Sequence, residues 1–248
     1  MISKSQIKYI HQLELKKFRK QEGLFIAEGH KVVGDLLAAG FTPKQLFATA
    51  EWIEGNQMAN AIEVTNDELT RLSLLQHPQQ VLGLFPIPEA QPQLSTINCQ
   101  LSILLDNIQD PGNLGTIIRI ADWFGIDTIF CSTGTVDAWN PKVVQATMGS
   151  IARVHIIYID PQQLFDSLPA DYPVYGTSLD GENIYTQQLS TNGLIVMGNE
   201  GNGISDAVRA RISRRLLIPD FHRGDTADSL NVAIATAITC SEFRRRGL

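Results

Sequence analysis

Cysteine is scarce in this 248-residue chain, and the cysteine spacings typical of disulfide or metal-binding sites are missing. The three cysteines, Cys99, Cys131 and Cys240, are odd in number and far apart, and no CxxC pair occurs. The five histidines are scattered, and no HExxH motif is present. These absences argue against a disulfide framework and against a metal site, and they indicate a reducing, cytoplasmic compartment.

Long apolar runs are missing as well. No run approaches the roughly 20 residues that a membrane-spanning helix needs, and the N-terminus opens with Met-Ile-Ser-Lys-Ser-Gln-Ile-Lys, without an apolar signal core. We therefore expect neither membrane insertion nor export. The hydrophobic content of 44% and the charged content of 19% are ordinary for a globular protein.

The net charge of −6 by itself argues against a nucleic-acid partner. The charge is unevenly distributed, however. Residues 1–31 and residues 209–248 each carry +4, whereas residues 32–208 carry −14. The basic ends indicate either a local phosphate-binding surface or solvated helix faces, and charge alone favours the second interpretation.

The first 90 residues alternate between strand and helix patterns. Strands are predicted at 24–27, 45–48, 61–65 and 81–85, and helices within 5–20, over 31–39 and over 66–72, the last capped by Asn66 or Asp67. This pattern is typical of a small α/β domain. Pro86, Pro88 and Pro92 then fall within seven positions, which predicts a stiff linker at 86–97.

A second α/β domain is predicted at 98–248. Its first strand, Leu101 to Leu105, is an uninterrupted apolar run, as in strands buried on both faces of a parallel sheet. Further strands are predicted at 128–131, 154–159, 174–177, 194–197 and 216–218, with helices at 114–124, after Pro141, after Pro161, from Ser205 and over 229–246. The alternation predicts a mostly parallel sheet.

One polar segment, Asp106 to Arg119, directly follows a buried strand. Pro111-Gly112-Asn113 breaks the chain, and a helix is expected to begin near Leu114. The free N–H groups of that helix favour an anion or a polar ligand. Arg119 lies among isoleucines, so it needs either a function or an internal partner such as Asp106 or Asp122.

The segment Gly198 to Gly203 follows another apolar strand and holds three glycines in six residues. Such a loop can fold around a ligand or form an ordinary turn. No Gly-Lys-Ser/Thr follows and the GxGxxG spacing is absent, which argues against a P-loop and against a dinucleotide-binding oxidoreductase. Glu200 within the loop suits a hydroxyl, an amine or a cation better than a phosphate.

A third segment begins at Ile218-Pro219, where a strand ends. The polar loop 220–228 leads to Ser229, which we predict as a helix N-cap, with Asn231 in the first turn. Taken alone, these two residues are equally well explained as a cap and a solvent-facing side chain.

Taken in order, the three segments resemble the three motifs of the SpoU (TrmH-like) family of SPOUT RNA 2′-O-ribose methyltransferases. The matching patterns are Asn-x-Gly-x3-Arg, then Gly-x-Glu-Gly-x-Gly, then Ile-Pro followed by Ser-Leu-Asn-Val. The first 90 residues, including Phe25-Ile26-Ala27-Glu28-Gly29, resemble the family's ribosomal-protein-like RNA-binding domain. The resemblance implies a small N-terminal α/β RNA-binding domain at 1–90 and a mostly parallel α/β methyltransferase domain at 98–248. It also implies a C-terminal trefoil knot and a homodimer.

The implied reaction is methyl transfer from S-adenosylmethionine to a ribose 2′-hydroxyl of ribosomal or transfer RNA. By resemblance, Arg119 engages the ribose and its phosphate, and four residues position them: Asn113, Glu200, Ser229 and Asn231. A guanidinium with a pKa above about 12 is a poor base. Arg119 is therefore expected to act with an RNA phosphate or by electrostatic stabilisation.

The implied cofactor pocket is formed by residues from several of these loops. They are Thr177, Ser178, Leu179, Met197, Gly198, Asn199, Gly201, Ile218 and Leu230. One departure from the family pattern is the loop 220–228, which is longer than usual and contains His222, more simply read as a surface residue. The alternative function is a non-catalytic RNA-binding protein that retains the methyltransferase fold.

Overall fold

The computed structural model describes residues 2–88, 100–222 and 228–245. The elements up to residue 88 are α1 (Lys4–Gln12), α2 (Lys16–Glu22), β1 (Leu24–Glu28), α3 (His30–Ala38), β2 (Gln45–Ala48), α4 (Ala50–Asn56), β3 (Ile62–Glu63), α5 (Asn66–Leu72) and β4 (Val81–Pro86). From residue 100 they are β5 (Leu101–Leu105), α6 (Pro111–Trp123), β6 (Thr128–Cys131), α7 (Pro141–Ala146), β7 (His155–Tyr158), α8 (Pro161–Ser167), β8 (Val174–Asn183), β9 (Gly193–Met197), α9 (Asp206–Arg209), β10 (Arg214–Leu217) and α10 (Val232–Arg245).

The chain forms two compact units. The first comprises Met1–Glu89 with Asp137–Arg153, and the second comprises Ala90–Val136 with Val154–Leu248. Within the three described ranges, no helix is both long and apolar enough to cross a membrane. The linker predicted at 86–97 begins inside β4, and its residues from 89 onward lie outside the described residues.

The first unit contains a four-stranded sheet in the order β1-β4-β2-β3. β4 pairs antiparallel with β1 and β2, whereas β2 and β3 are parallel. Apolar side chains of the sheet pack with α1 and α5, as Phe47 and Leu82 do with Ile10 and Leu72. Burial of this apolar surface is what holds the sheet and these helices together.

Two local predictions for this unit were wrong. α5 is capped by Thr65, because the Thr65 side chain accepts from Glu68 N at 3.2 Å while the Glu68 carboxylate accepts from Thr65 N at 3.1 Å. This reciprocal pair satisfies two free amides at once, which Asn66 or Asp67 inside the helix cannot do. α4 was not predicted, although Thr49 accepts from Trp52 N at its start.

A segment from the middle of the chain completes the first unit. Arg19 of α2 is buried and donates through Nε and Nη2 to Asp137 Oδ2, at 3.1 and 2.6 Å. The ring of Trp139 lies 4.6 Å from that of Phe25, centroid to centroid. The unit therefore contains sequence from both sides of the predicted linker, and the division into domains at 1–90 and 98–248 stays a prediction.

The second unit contains a six-stranded sheet in the order β10-β8-β9-β5-β6-β7, and every neighbouring pair is parallel. The predicted α/β class with a parallel sheet is confirmed. From β5 the chain runs outward through β6 to β7, and then returns to build β8, β9 and β10 on the other side. The strand order reverses between β5 and β9, and open α/β sheets bind ligands at the carboxyl ends of strands beside such a point.

The helices that flank this point begin differently from the prediction. α6 begins at Pro111, because Asp110 Oδ1 accepts from Asn113 N at 2.8 Å and proline suits the first helical position. α10 begins at Val232, because Asn231 Oδ1 accepts from Ala233 N at 2.9 Å and from Ile234 N at 3.3 Å. Asn231, rather than Ser229, is therefore the capping residue.

Candidate active site

The three polar segments lie at one edge of the parallel sheet. Asp106 follows β5, Gly198 follows β9, and Asn231 precedes α10. Since β5 and β9 are neighbours in register, with Leu105 opposite Met197, their following loops emerge side by side. The topology therefore brings together residues that are up to 118 positions apart in sequence.

Asp106 ties the two loops together at their base. Its side chain is buried, its backbone N–H donates to Met197 O at 2.9 Å, and its Oδ2 accepts from Ser205 N at 2.8 Å. Its Oδ1 accepts from Asn107 Nδ2 at 3.1 Å. These bonds satisfy a buried carboxylate, and the structure shows no Asp106–Arg119 ion pair among the described residues.

Asn199 organises the glycine-rich loop. Its Oδ1 accepts from Gly201 N and Asn202 N, each at 3.0 Å, and its Nδ2 donates to Asn107 O at 2.7 Å. The loop folds back so closely on Gly198 that a Cβ there would lie 2.3 Å from the backbone of residues 203 and 204. Only glycine fits this position, so the segment is a specific fold-back and not a generic turn.

Glu200 faces the start of α6. Its carboxylate accepts from Gln109 N and Asp110 N, each at 3.2 Å, and from Asn113 Nδ2 at 3.0 Å. Partial burial raises the pKa of Glu200, but these hydrogen bonds from Asn113 and the backbone outweigh it, so the pKa lies below its ordinary value. The carboxylate is ionised at neutral pH, where it complements the positive end of α6.

Asn113 is the centre of a hydrogen-bonded chain through all three segments. It donates through Nδ2 to Glu200 and accepts at Oδ1 from Asn231 Nδ2 at 2.9 Å. Since Asn231 Oδ1 is engaged by its own helix amides, both amide side chains have only one orientation that satisfies every bond. The structure thus brings together Asn113, Glu200 and Asn231, three of the five residues predicted to be catalytic.

The other two predicted catalytic residues, Ser229 and Arg119, are not part of this hydrogen-bonded chain. Ser229 is exposed, and no described residue hydrogen-bonds its side chain. Arg119 is exposed on α6 and pairs with no carboxylate in the described part of the chain. Arg119 follows Asn113 by six residues, about 9 Å along the helix axis. Neither Asp106 nor Asp122, the predicted alternative partners, forms an ion pair with it among the described residues.

The predicted cofactor residues lie within β8, at or after the carboxyl end of β9, and in the segment after β10, and these three strands are adjacent in the sheet. Thr177 Oγ1 in β8 donates to Met197 Sδ at the end of β9 at 3.6 Å, which joins the two strands. Leu179 and Leu230 are exposed, with 74% and 50% of their surface accessible. Ile218 directly follows β10 and is partly buried. Exposed apolar side chains beside polar loops are suited to an adenosine group.

Several features of this unit are unrelated to the predicted site. A cleft lined by Leu101, Phe124 and Phe243 lies at the opposite edge, by the amino end of β5. Burial raises the pKa of the Cys131 thiol, and burial raises that of Cys240 to about 12 despite the lowering effect of nearby Arg244, so both are protonated at neutral pH. Among the described residues, no group of three His, Cys, Asp or Glu side chains could hold a metal.

Sequence reasoning did not identify the backbone amides of Gln109 and Asp110 as partners of Glu200, nor Asp106 and Asn107 as the joint between loops. A signal was present for Asp106, since an aspartate at the end of a fully apolar strand must find donors when it is buried. The amides carried no signal, because a backbone donor looks the same in every sequence.

The parallel α/β sheet of the second unit matches the fold of solved SPOUT methyltransferases. The structure superposes on an AdoMet-bound rRNA methyltransferase from Sinorhizobium meliloti, with a TM-score of 0.87 and 32% identity over 100% of this chain and 97% of the other. It is also similar to a TrmH-family protein from Porphyromonas gingivalis, with a TM-score of 0.89 and 40% identity over 99% of both chains.

The chain belongs to the SpoU rRNA methylase family, whose model matches residues 100–241. Residues 4–83 match the MRM3-like substrate binding domain. A curated relative from Bacillus subtilis, the 23S rRNA (guanosine(2553)-2′-O)-methyltransferase RlmP, is 30% identical and is covered over 96% of both chains. The family resemblance stated from the sequence is confirmed.

Proposed function

We propose that this member of the SpoU family methylates a ribose 2′-hydroxyl in large-subunit ribosomal RNA, with S-adenosylmethionine as methyl donor. The observation that carries the proposal is the hydrogen-bonded chain from Glu200 through Asn113 to Asn231. A chain of this kind fixes side chains from three separate loops before any substrate binds. Such preorganisation is what alignment of two reactants requires.

The predicted cofactor residues within β8 and in the segments after β9 and β10 fit S-adenosylmethionine. Leu179 and Leu230 offer apolar surface, and Gly198 allows close backbone approach. The cofactor supplies a methyl group already activated on a sulfonium. None of the predicted cofactor residues has a charged side chain, so their contacts with the cofactor would be apolar or hydrogen-bonded.

The role of Arg119 follows from its exposure. An arginine without a carboxylate partner among the described residues is available to bind a ribose phosphate and to stabilise the charge that develops on the 2′-oxygen. Glu200 is held by the backbone amides of Gln109 and Asp110, just before α6, and by Asn113, so its part is to fix the Asn113 side chain. Ser229 and Asn231, on the segment before α10, would complete the ribose site.

The choice of ribosomal RNA rests on the B. subtilis relative, which acts on 23S rRNA by its name and aligns over nearly the whole chain. The first unit supports an RNA partner through five exposed lysines on its first two helices. They are Lys4, Lys8, Lys16, Lys17 and Lys20. Clustered lysines bind phosphates without reading sequence, so RNA shape or loop bases would select the target.

A homodimer with a C-terminal knot belongs to the same proposal. α6 and α10 pack against each other, and Trp123 and Ile234 on them are 84% and 52% exposed. A second copy of the chain would cover these apolar side chains. The cytoplasm is the compartment proposed, because ribosomal RNA is made and modified in reducing surroundings and the cysteines form no CxxC pair.

The test is methyl transfer from labelled S-adenosylmethionine to ribosomal and transfer RNA that lack ribose methylation, followed by nucleoside mass analysis. We expect one 2′-O-methylated nucleoside in the ribosomal RNA and none in the transfer RNA. Transfer into transfer RNA alone would overturn the substrate assignment. RNA binding without cofactor binding or methyl transfer would favour the non-catalytic alternative.

A further inference from the structure

The predicted cofactor segment at Thr177 lies in an excursion of β8 from its sheet. On β10, Arg215 pairs with Gly176 and the next residue, Leu216, pairs with Glu182. The five residues 177–181 are thus opposite a single step of the neighbouring strand. On the other side, pairing with β9 ends at Gly176. This excursion, which we term the 177–181 bulge, has no ladder partners in the described part of the chain.

Side chains hold the bulge where the backbone ladder does not. Asp180 Oδ2 lies 2.5 Å from Arg209 Nη2 and 2.5 Å from Arg215 Nη1. Its other oxygen accepts from Ser178 Oγ, which also accepts from Arg209 Nη1 at 3.3 Å. One carboxylate thus connects the bulge to α9 and to β10.

The end of the bulge is fitted closely to the sheet. A Cβ at Gly181 would lie 2.6 Å from the carbonyl carbon of Leu216 and 2.8 Å from that of Arg215. The bonds from Ser178 and Arg209 keep the pKa of Asp180 below its ordinary value, so the carboxylate is charged at neutral pH. Both arginine pairs therefore persist across the working range of pH.

The residue between Ser178 and Asp180 is Leu179, whose side chain is exposed and is one of the predicted cofactor contacts. We propose that Asp180, held by Arg209 and Arg215, is a positioning residue that keeps the 177–181 bulge in its cofactor-binding conformation. The inference rests on the proposed function, because the bulge is the cofactor wall only if the protein binds S-adenosylmethionine. Ordering this loop before binding removes an entropic cost that the cofactor would otherwise meet.

The experiment compares Asp180→Asn with the wild-type protein. Each exposed ion pair contributes little to stability by itself. Because two such pairs hold a segment without backbone ladder partners, their loss should weaken the affinity for S-adenosylmethionine by roughly three- to tenfold. We expect the dissociation constant and the KM for the cofactor to rise by this factor. The kcat at saturating cofactor and the KM for RNA should stay near wild type. Asp180→Glu should restore part of the loss.

A matched control is Asp166→Asn. Asp166 also pairs with an exposed arginine, Arg211, at 2.9 Å, and it lies on α8, outside the bulge. The control removes the same charge and one surface ion pair, so its cofactor affinity should not change. The double variant Arg209→Gln/Arg215→Gln should reproduce the effect of Asp180→Asn, because it removes both cationic partners.

The outcomes separate this inference from the proposed function. If the wild type binds the cofactor and Asp180→Asn binds it equally well, the positioning role is wrong and the function stands. An equal fall in kcat, RNA affinity and thermal stability would show a merely structural role and would also overturn the inference. If the wild type itself does not bind S-adenosylmethionine, both the function and the inference fall.

Discussion

Asn231 Nδ2 donates to Asn113 Oδ1 at 2.9 Å, across 118 positions of sequence. The same Asn113 donates to the Glu200 carboxylate, so one amide side chain connects the glycine-rich loop to the start of the last helix. This hydrogen bond sets how the first and third motifs face each other.

Replacing Asn113 with alanine should lower kcat/KM for methyl transfer by roughly 10- to 100-fold. The change leaves Glu200 and Asn231 each short of one partner, and such a loss costs about 1–3 kcal/mol per site. Asn113→Asp should be worse than alanine, because a second carboxylate would face Glu200. Asn192→Ala, at an asparagine that contacts Ser190, is the control. Equal activity of Asn113→Ala and wild type would remove Asn113 from the site.

Arg119→Ala should reduce methyl transfer by roughly 100-fold or more, the scale expected when a group that stabilises developing charge is lost. S-adenosylmethionine affinity should stay within twofold, and stability should change by no more than about 0.5 kcal/mol, because the side chain is exposed. Isothermal titration with the cofactor and a methylation assay measure the two effects. Arg211→Ala serves as an exposed-arginine control, and parallel losses of binding and activity would mark Arg119 as structural.

Glu200 predicts a pH dependence of stability. Its pKa in the folded protein lies below its ordinary value of 4.5. Its ionised form therefore stabilises the fold fully above the unfolded pKa, and this contribution is lost as the pH falls through the folded pKa. The free energy of unfolding of the wild type should exceed that of Glu200→Gln at pH 7, and the gap should narrow as the pH falls below 4.5 and close below the folded pKa.

Urea unfolding of both proteins between pH 3 and pH 7 measures that gap. Glu182→Gln is a suitable control, since it removes a glutamate of β8 outside the hydrogen-bonded chain. A gap that stays constant across the whole range would show that the carboxylate has the same pKa in the folded and unfolded chains.

Arg19→Met should destabilise the first unit by about 3–5 kcal/mol, because it leaves Asp137 without its buried partner. The neighbouring variant Lys20→Met, at an exposed lysine, should have little effect. Fluorescence of Trp139, which stacks near Phe25 in this unit, reports the transition. The double variant Arg19→Met/Asp137→Leu should recover part of the loss. No difference between Arg19→Met and Lys20→Met would contradict the structural role of the ion pair.

The same ion pair affects the outcome of a truncation. Removal of residues 1–90 should weaken RNA capture and leave cofactor affinity nearly unchanged. The structure adds a second consequence, since Asp137–Arg153 packs in the same unit as the removed residues. The truncated protein should therefore expose Trp139 and lose stability, and cofactor binding should be measured only after its folding has been checked by circular dichroism.

The sequence alone determined the strands of the parallel sheet, the three polar segments and the family. Apolar runs such as Leu101 to Leu105 specify buried strands wherever they occur, and proline after aspartate or asparagine specifies a helix start. These signals are local, and the structure bears them out at β5, α7 and α8. The short α4 was missed because its Thr49 cap precedes a helix of only seven residues.

Tertiary structure decided everything that depends on distant partners. Asn231 caps α10 through its Oδ1, and its Nδ2 donates to Asn113, a residue that no local pattern connects with it. The association of Asp137 with Arg19 and the bulge held by Asp180 are of the same kind. Local propensity depends on neighbouring residues. Hydrogen-bond partners 118 positions apart depend on the strand order, which exists only in the folded chain.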